Sequence, residues 1–179
     1  KLAMRRSIEA SLGRLERQSL IDVNAGRYHF LTNEEQDVNR SVKQERVGTE
    51  KLRRLIGELF YDELLSGETK VKGGGLPREF PFQRLVDAHP YGRQSGAEIE
   101  VYLAPPFGDE FDQFAKPGHE HHSASRTGCL FVCMQDNQDL IREMERYLQV
   151  EQYLRGSNKD ELGESLNRIL RDKHEENRD

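Results

Sequence analysis

Three histidines, His119, His121 and His122, lie within four positions beside Glu120 and ahead of two thiols, Cys129 and Cys133. Imidazoles and thiolates at short spacing are transition-metal ligands, so His119, His121 and His122 are the metal candidates of the chain. A structural zinc site normally shows two separated ligand pairs, and no second pair accompanies these. A solvated polar loop is the competing account. The two cysteines sit in the apolar run Cys129-Leu130-Phe131-Val132-Cys133-Met134, where free thiols behave as small hydrophobes.

Phosphate chemistry would need a glycine loop followed by Lys and Ser or Thr in fixed register. Gly73-Gly74-Gly75 runs into Leu76-Pro77-Arg78-Glu79, which lacks that Lys-Ser/Thr pair. No nucleotide site is expected there. Asp87-Ala88-His89-Pro90 could orient an Asp–His pair, but nothing marks a nucleophile next to it, and no catalytic residue is assigned. Four arginines have a different potential. Arg6, Arg14 and Arg17 fall on the polar side of a first helix, and Arg27 and His29 on the wing after it, positions from which a winged helix reaches DNA. Glu9 and Glu16 among them weaken that field.

The elements that must position these residues follow from periodicity. Met4, Ile8, Leu12 and Leu15 recur at helical spacing, predicting a helix with that stripe toward a core. Leu20-Ile21-Asp22-Val23 and Arg27-Tyr28-His29-Phe30-Leu31 flank an Asn24-Ala25-Gly26 turn. Helix, strand, turn and aromatic strand together read as the C-terminal half of a winged helix, its earlier helices missing. Thr32 and Glu35 form a capping box for a connector helix. Gly48 ends the connector, and Thr49 caps a core helix with Leu52, Leu55, Ile56, Leu59, Phe60 and Leu64 on one stripe.

A short strand is expected at Thr69–Lys72. Around Pro81, Phe80 and Phe82 read as an edge or a turn. Ile99, Val101 and Leu103 make a half-buried strand whose wet face carries Glu98, Glu100 and Tyr102. The continuous run from Cys129 predicts a strand covered on both faces. Asp136 would cap a helix ending at Gly156, with a last helix after it. The fold class is therefore α+β, a mixed α/β chain: residues 1–47 form a partial winged helix plus connector, 48–156 an α/β domain, and 157–179 a C-terminal helix.

Composition limits the classes of function. The 179 residues carry 27 Lys and Arg against 32 Asp and Glu, a net charge of -5, and the mean hydropathy is -0.86. An acidic whole opposes general nucleic-acid affinity but not a local basic contact. Residues 1–20 hold five basic side chains against Glu9 and Glu16, whereas residues 97–125 hold six acidic ones against Lys116. With two cysteines there is no disulfide framework, and no apolar run approaches membrane-spanning length. A reducing cytoplasm is expected.

Three blocks carry a family resemblance. They are Gly26-Arg27-Tyr28-His29-Phe30-Leu31-Thr32-Asn33-Glu34-Glu35-Gln36-Asp37-Val38-Asn39-Arg40, then Phe80-Pro81-Phe82-Gln83-Arg84-Leu85-Val86-Asp87 with His89-Pro90, and Tyr147-Leu148-Gln149-Val150-Glu151-Gln152-Tyr153-Leu154-Arg155. In this order they resemble the middle region of the large P-loop ATPase of BREX (bacteriophage exclusion) systems, related to the ATPase of phage growth limitation. The resemblance implies an antiviral defence protein whose ATP and Mg site lies before this segment. It places no cofactor here. Expected partners are the rest of the parent chain, other defence proteins or a second copy, and DNA. The functional expectation is a non-catalytic segment that relays nucleotide state or holds partners. A DNA-binding winged-helix module is the first alternative, and a metal-dependent enzyme at the His-rich loop the second.

Overall fold

A computed structural model describes residues 2–24, 27–72, 77–93, 97–112 and 126–156. The architecture is mixed α+β, as composition and periodicity predict. Two compact units divide the chain: Lys1–Arg46 with the chain from Arg146, and Val47–Glu145.

The first unit opens with α1 (Leu2–Arg17), followed by the hairpin β1 (Ile21–Asn24) and β2 (Arg27–Phe30), paired antiparallel from Ile21↔Phe30 to Asn24↔Arg27. Helix, strand and aromatic strand fall where the sequence places them. α1 ends on Ser19, at φ +58°, with Leu20 N–H bonding Leu15 O at 3.0 Å and Ser19 N–H bonding Glu16 O at 3.0 Å. This is the left-handed helix stop usually given to glycine. Lys43 completes it by donating to Glu16 O at 2.7 Å and to Ser19 Oγ at 3.1 Å, a cation on the negative end of the helix.

Lys43 belongs to α2 (Asn33–Gln44), whose start is the expected capping box: Thr32 Oγ1 accepts from Glu35 N–H and Glu35 Oε2 from Thr32 N–H. Val42 packs on Val150, with Val38, Tyr153 and Leu154 around them. The partner residues lie on α4 (Gln138–Gly156), whose Gln149 and Gln152 also bond Glu45. The expected apolar stripe of α1 is only half covered. Leu12 and Leu15 are partly buried, but Met4 is 71% exposed and Ile8 53%.

In the second unit α3 (Thr49–Gly57) continues as a π-helix (Glu58–Leu64). Periodicity alone predicted one α-helix. After Gly57 the turns widen, as in the Leu65 N–H bond to Phe60 O, so the inward stripe changes phase. Tyr61 is buried in place of Leu64, which is exposed. The cap also differs: Gly48 takes the N-cap position without a side-chain bond, and Thr49 is the first helical residue.

The sheet comprises β3 (Lys70–Lys72), β4 (Glu79–Val86), β5 (His89–Pro90), β6 (Ile99–Ala104) and β7 (Cys129–Cys133). Its order is β3-β4-β6-β7, with β5 on the end of β4. β4, β6 and β7 run parallel; β3 and β5 lie antiparallel to β4. Pro81 therefore lies inside an internal strand. It is tolerated because the β6 ladder begins one residue later, at Phe82↔Ile99, and only its carbonyl is used there, by Glu98 N–H at 3.0 Å.

Tyr102 was expected on a wet face and is instead fully buried, in one row with Leu85 and Phe131. Its ring lies 5.4 Å from that of Phe131. The run beginning at Cys129 was expected to be covered on both faces. Among the described residues β7 pairs only with β6, and Leu130 is 60% exposed. A last difference is at α4, where Asn137 Oδ1, not Asp136, accepts from the first free amides, Asp139 and Leu140 at 3.2 Å each. No helix among the described residues is long and apolar enough to cross a membrane.

Candidate functional site

In parallel sheets, side chains gathered beyond the carboxyl ends of the strands are the first place to look for function. Here β4 ends in a two-residue turn, Asp87-Ala88, which returns as β5 with Val86 opposite His89. Both turn residues have positive φ, +49° and +61°. That is the hairpin geometry normally given to Asn-Gly. Ala88 carries a Cβ in a region costing about 1 kcal/mol or more per residue. Three contacts hold the turn: Asp87 N–H to Leu103 O at 3.0 Å, His89 Nδ1–H to Asp87 O at 2.5 Å, and Asp87 Oδ2 facing Arg53 Nε at 3.4 Å.

The Asp87 carboxylate is buried. A Cβ on Gly108 would collide with Asp87 Oδ1, so the turn after β6 closes over it only because residue 108 is glycine. Arg53 Nε is itself buried and, at 3.4 Å, makes no well-formed hydrogen bond. Next to the pair Tyr102 donates to Glu110 Oε2 at 2.7 Å. Burial first, then the Glu110 bond and charge and the Asp87 charge, hold the Tyr102 phenol well above its ordinary pKa.

A second polar cluster fastens the π-helix to β4. Arg84 donates to Asp62 Oδ1 at 2.8 Å, and Tyr91 to Asp62 Oδ2 at 2.6 Å. The Arg84 guanidinium lies 5.4 Å from the Tyr91 ring and 5.8 Å from the Tyr61 ring, and those two rings stack at 5.5 Å. Gly57 permits this approach, since a Cβ there would collide with the Tyr91 ring. The Tyr61 hydroxyl reaches main chain of both β4 and β6: Leu85 O and Val101 O at 2.8 Å, and Leu85 N–H at 3.2 Å. Burial raises its pKa strongly.

In the first unit the structure places Arg6, Arg14 and Arg17 on α1 and Arg27 on β2, all exposed. At 3.6 residues per turn the three helix arginines share an arc of about 80°. The acids near them are engaged. Arg5 takes Glu9 at 2.9 Å, and Arg146 takes Asp22 at 2.6 Å and approaches Glu16 at 3.8 Å. Burial, then the neighbouring Arg146 charge, lowers the Lys43 pKa against an opposing pull from Glu16.

His119, His121 and His122 lie outside the described residues. Among the described residues no three His, Cys, Asp or Glu side chains come together to hold a metal ion. Burial raises the Cys129 pKa, which disfavours its thiolate. The structure keeps Asp87 and His89 together through backbone only, as Nδ1 meets a carbonyl and not the carboxylate. Sequence reasoning missed Arg53, Asp62, Arg84 and Tyr91, whose partnerships span 22 to 34 positions and leave no local signal.

Residues 45–179 match the protein family described as the BREX ATP-binding protein BrxC 4th domain with six-stranded beta sheet. Within that span the described residues form a five-stranded sheet. No solved structure matches the chain.

Proposed function

The chain belongs to the BrxC fourth-domain family of BREX ATP-binding proteins, and from that premise we propose that it is a non-catalytic segment which relays nucleotide state or holds partners within a BREX defence ATPase. One observation carries the reading: the polar side chains at the carboxyl end of the parallel strands are engaged with one another. Asp87 faces Arg53, Asp62 takes Arg84 and Tyr91, and Glu110 takes Tyr102. Arg53 supports the strained turn at Asp87, and Asp62, Arg84 and Tyr91 fasten the π-helix to β4. Strain of this kind persists only where its surroundings over-determine it, so loosening those contacts would let the turn relax.

ATP and Mg belong, on this reading, to the parent protein's P-loop region and not to this segment. ATP turnover by the purified 179-residue chain is expected to stay at the buffer background. Turnover that scales with its concentration would overturn the proposal.

A further inference from the structure

Two apolar rows, offset by one residue, run along the helical segment that opens the second unit. Leu52, Ile56, Phe60 and Leu64 repeat at a spacing of four, the row an unbroken α-helix would turn to one side. Leu52, Ile56, Tyr61 and Leu65 share its start and then take one step of five. The structure uses the second row. Glu58 N–H still bonds Arg54 O, four residues back, but Leu65 N–H bonds Phe60 O, five back, at 3.0 Å. Tyr61 is thereby buried and Leu65 half-buried, while Leu64 is 72% exposed. One wide turn is the difference between the two rows. We propose that residues 58–65 are a register switch: when the contacts of Tyr61 and Asp62 are lost, the wide turn closes to α-helix, Tyr61 turns outward and Leu64 takes its place.

Polar contacts select the present register, because the apolar pattern suits either one. The Tyr61 hydroxyl engages main chain of Leu85 and Val101, and Asp62 holds Arg84 and Tyr91. A shift of one residue turns a helical side chain by about 100°, which breaks all of these bonds together. The residue released by the closing turn passes to Ser66-Gly67, where a Cβ on Gly67 would meet nothing within 4 Å. The far ends of the Asp62 contacts give the switch its output. Arg84 and Tyr91 flank the Asp87-Ala88 turn and are joined by Tyr91 N–H to Arg84 O at 2.8 Å. That output rests on the relay reading above, whereas the two registers do not and are tested without nucleotide.

The chain contains no tryptophan, so the indole of Leu64→Trp reports on position 64 alone. In that background acrylamide should quench it freely, like the exposed leucine it replaces. Adding Tyr61→Phe with Asp62→Asn keeps the ring and removes the polar contacts. Loss of about three hydrogen bonds should shift the ratio of registers by on the order of a hundredfold, moving the emission to the blue and reducing quenching. Tyr61→Gln, which makes the buried row polar, should do so more completely while far-UV circular dichroism stays unchanged. Leu64→Gln alone should leave the urea midpoint where it is. Combined with Tyr61→Gln it should lower the midpoint far more than the two changes separately, since neither row is then complete. The proposal is overturned by an indole equally quenched in all three backgrounds, by additive midpoints, or by Tyr61→Gln unfolding the chain while Leu64 is intact. Those results would leave the relay reading standing, and exchange in the intact ATPase that ignores nucleotide would refute the relay without touching the registers.

Discussion

Replacing Tyr61 by Phe removes one oxygen from the centre of the second unit. That oxygen accepts from Leu85 N–H at 3.2 Å and lies 2.8 Å from both Leu85 O and Val101 O. The hydroxyl has one proton, so it satisfies one carbonyl at a time. A phenylalanine ring in its place would keep the apolar burial and remove two hydrogen bonds, one to a carbonyl and one from the Leu85 amide, while the β4–β6 ladder still pairs those main-chain groups. Tyr61 is fully buried, so water does not reach the vacated position. Each lost hydrogen bond costs about 0.5–1.5 kcal/mol, which puts the loss near 1–3 kcal/mol. Equilibrium urea unfolding followed by far-UV circular dichroism measures it, with Tyr28→Phe on the exposed wing as the control expected to change nothing. A Tyr61→Phe variant within about 0.5 kcal/mol of the unaltered chain, the size of an ordinary surface substitution, would refute the bridging role of the hydroxyl.

Two further outcomes follow from the same geometry. Ala88→Gly should stabilise the fold by about 0.5–1 kcal/mol, because relief of the left-handed strain exceeds the added chain entropy; a lower urea midpoint would show that the turn is not strained. Stability should also fall as pH rises past the ordinary phenol value of 10.0, since Tyr61, Tyr91 and Tyr102 all have raised pKa values. The folded chain then keeps protons that the unfolded chain releases, so the slope of stability with pH is negative there. Lys43, whose pKa is lowered, acts in the opposite sense below 10.5. Urea midpoints that stay level or rise between about pH 10 and 11 would contradict the phenol burial.

Local signals in the sequence were read correctly where one or two residues decide the outcome. The Thr32–Glu35 box, the helix–hairpin order of residues 2–30 and the parallel-strand segments of β6 and β7 all lie where spacing places them. Spacing failed where the deciding partner is distant. Tyr102 alternates with Val101 and Leu103 like a wet-face residue, and only the register with Leu85 and Phe131 buries it. The apolar run of β7 looks doubly covered, yet Leu130 is exposed at the strand's outer position. The π-helix is equally silent, since a stripe at 3.6 spacing does not reveal the one residue at which the phase slips. Asp87-Ala88 lacks the glycine that marks such turns, and the contacts from Arg53 and Gly108 that hold it come from both sides of the chain. Family blocks supplied what the residues did not: 45–179 belong to a BREX ATP-binding protein domain.

Hydrogen exchange on an intact BREX ATPase containing this segment, with and without a non-hydrolysable ATP analogue, tests the relay most directly. Peptides covering the Asp87–His89 turn and the π-helix Glu58–Leu64 are expected to change protection with nucleotide, while those from β6 stay constant. Identical exchange throughout residues 47–145 in the two states would contradict the account.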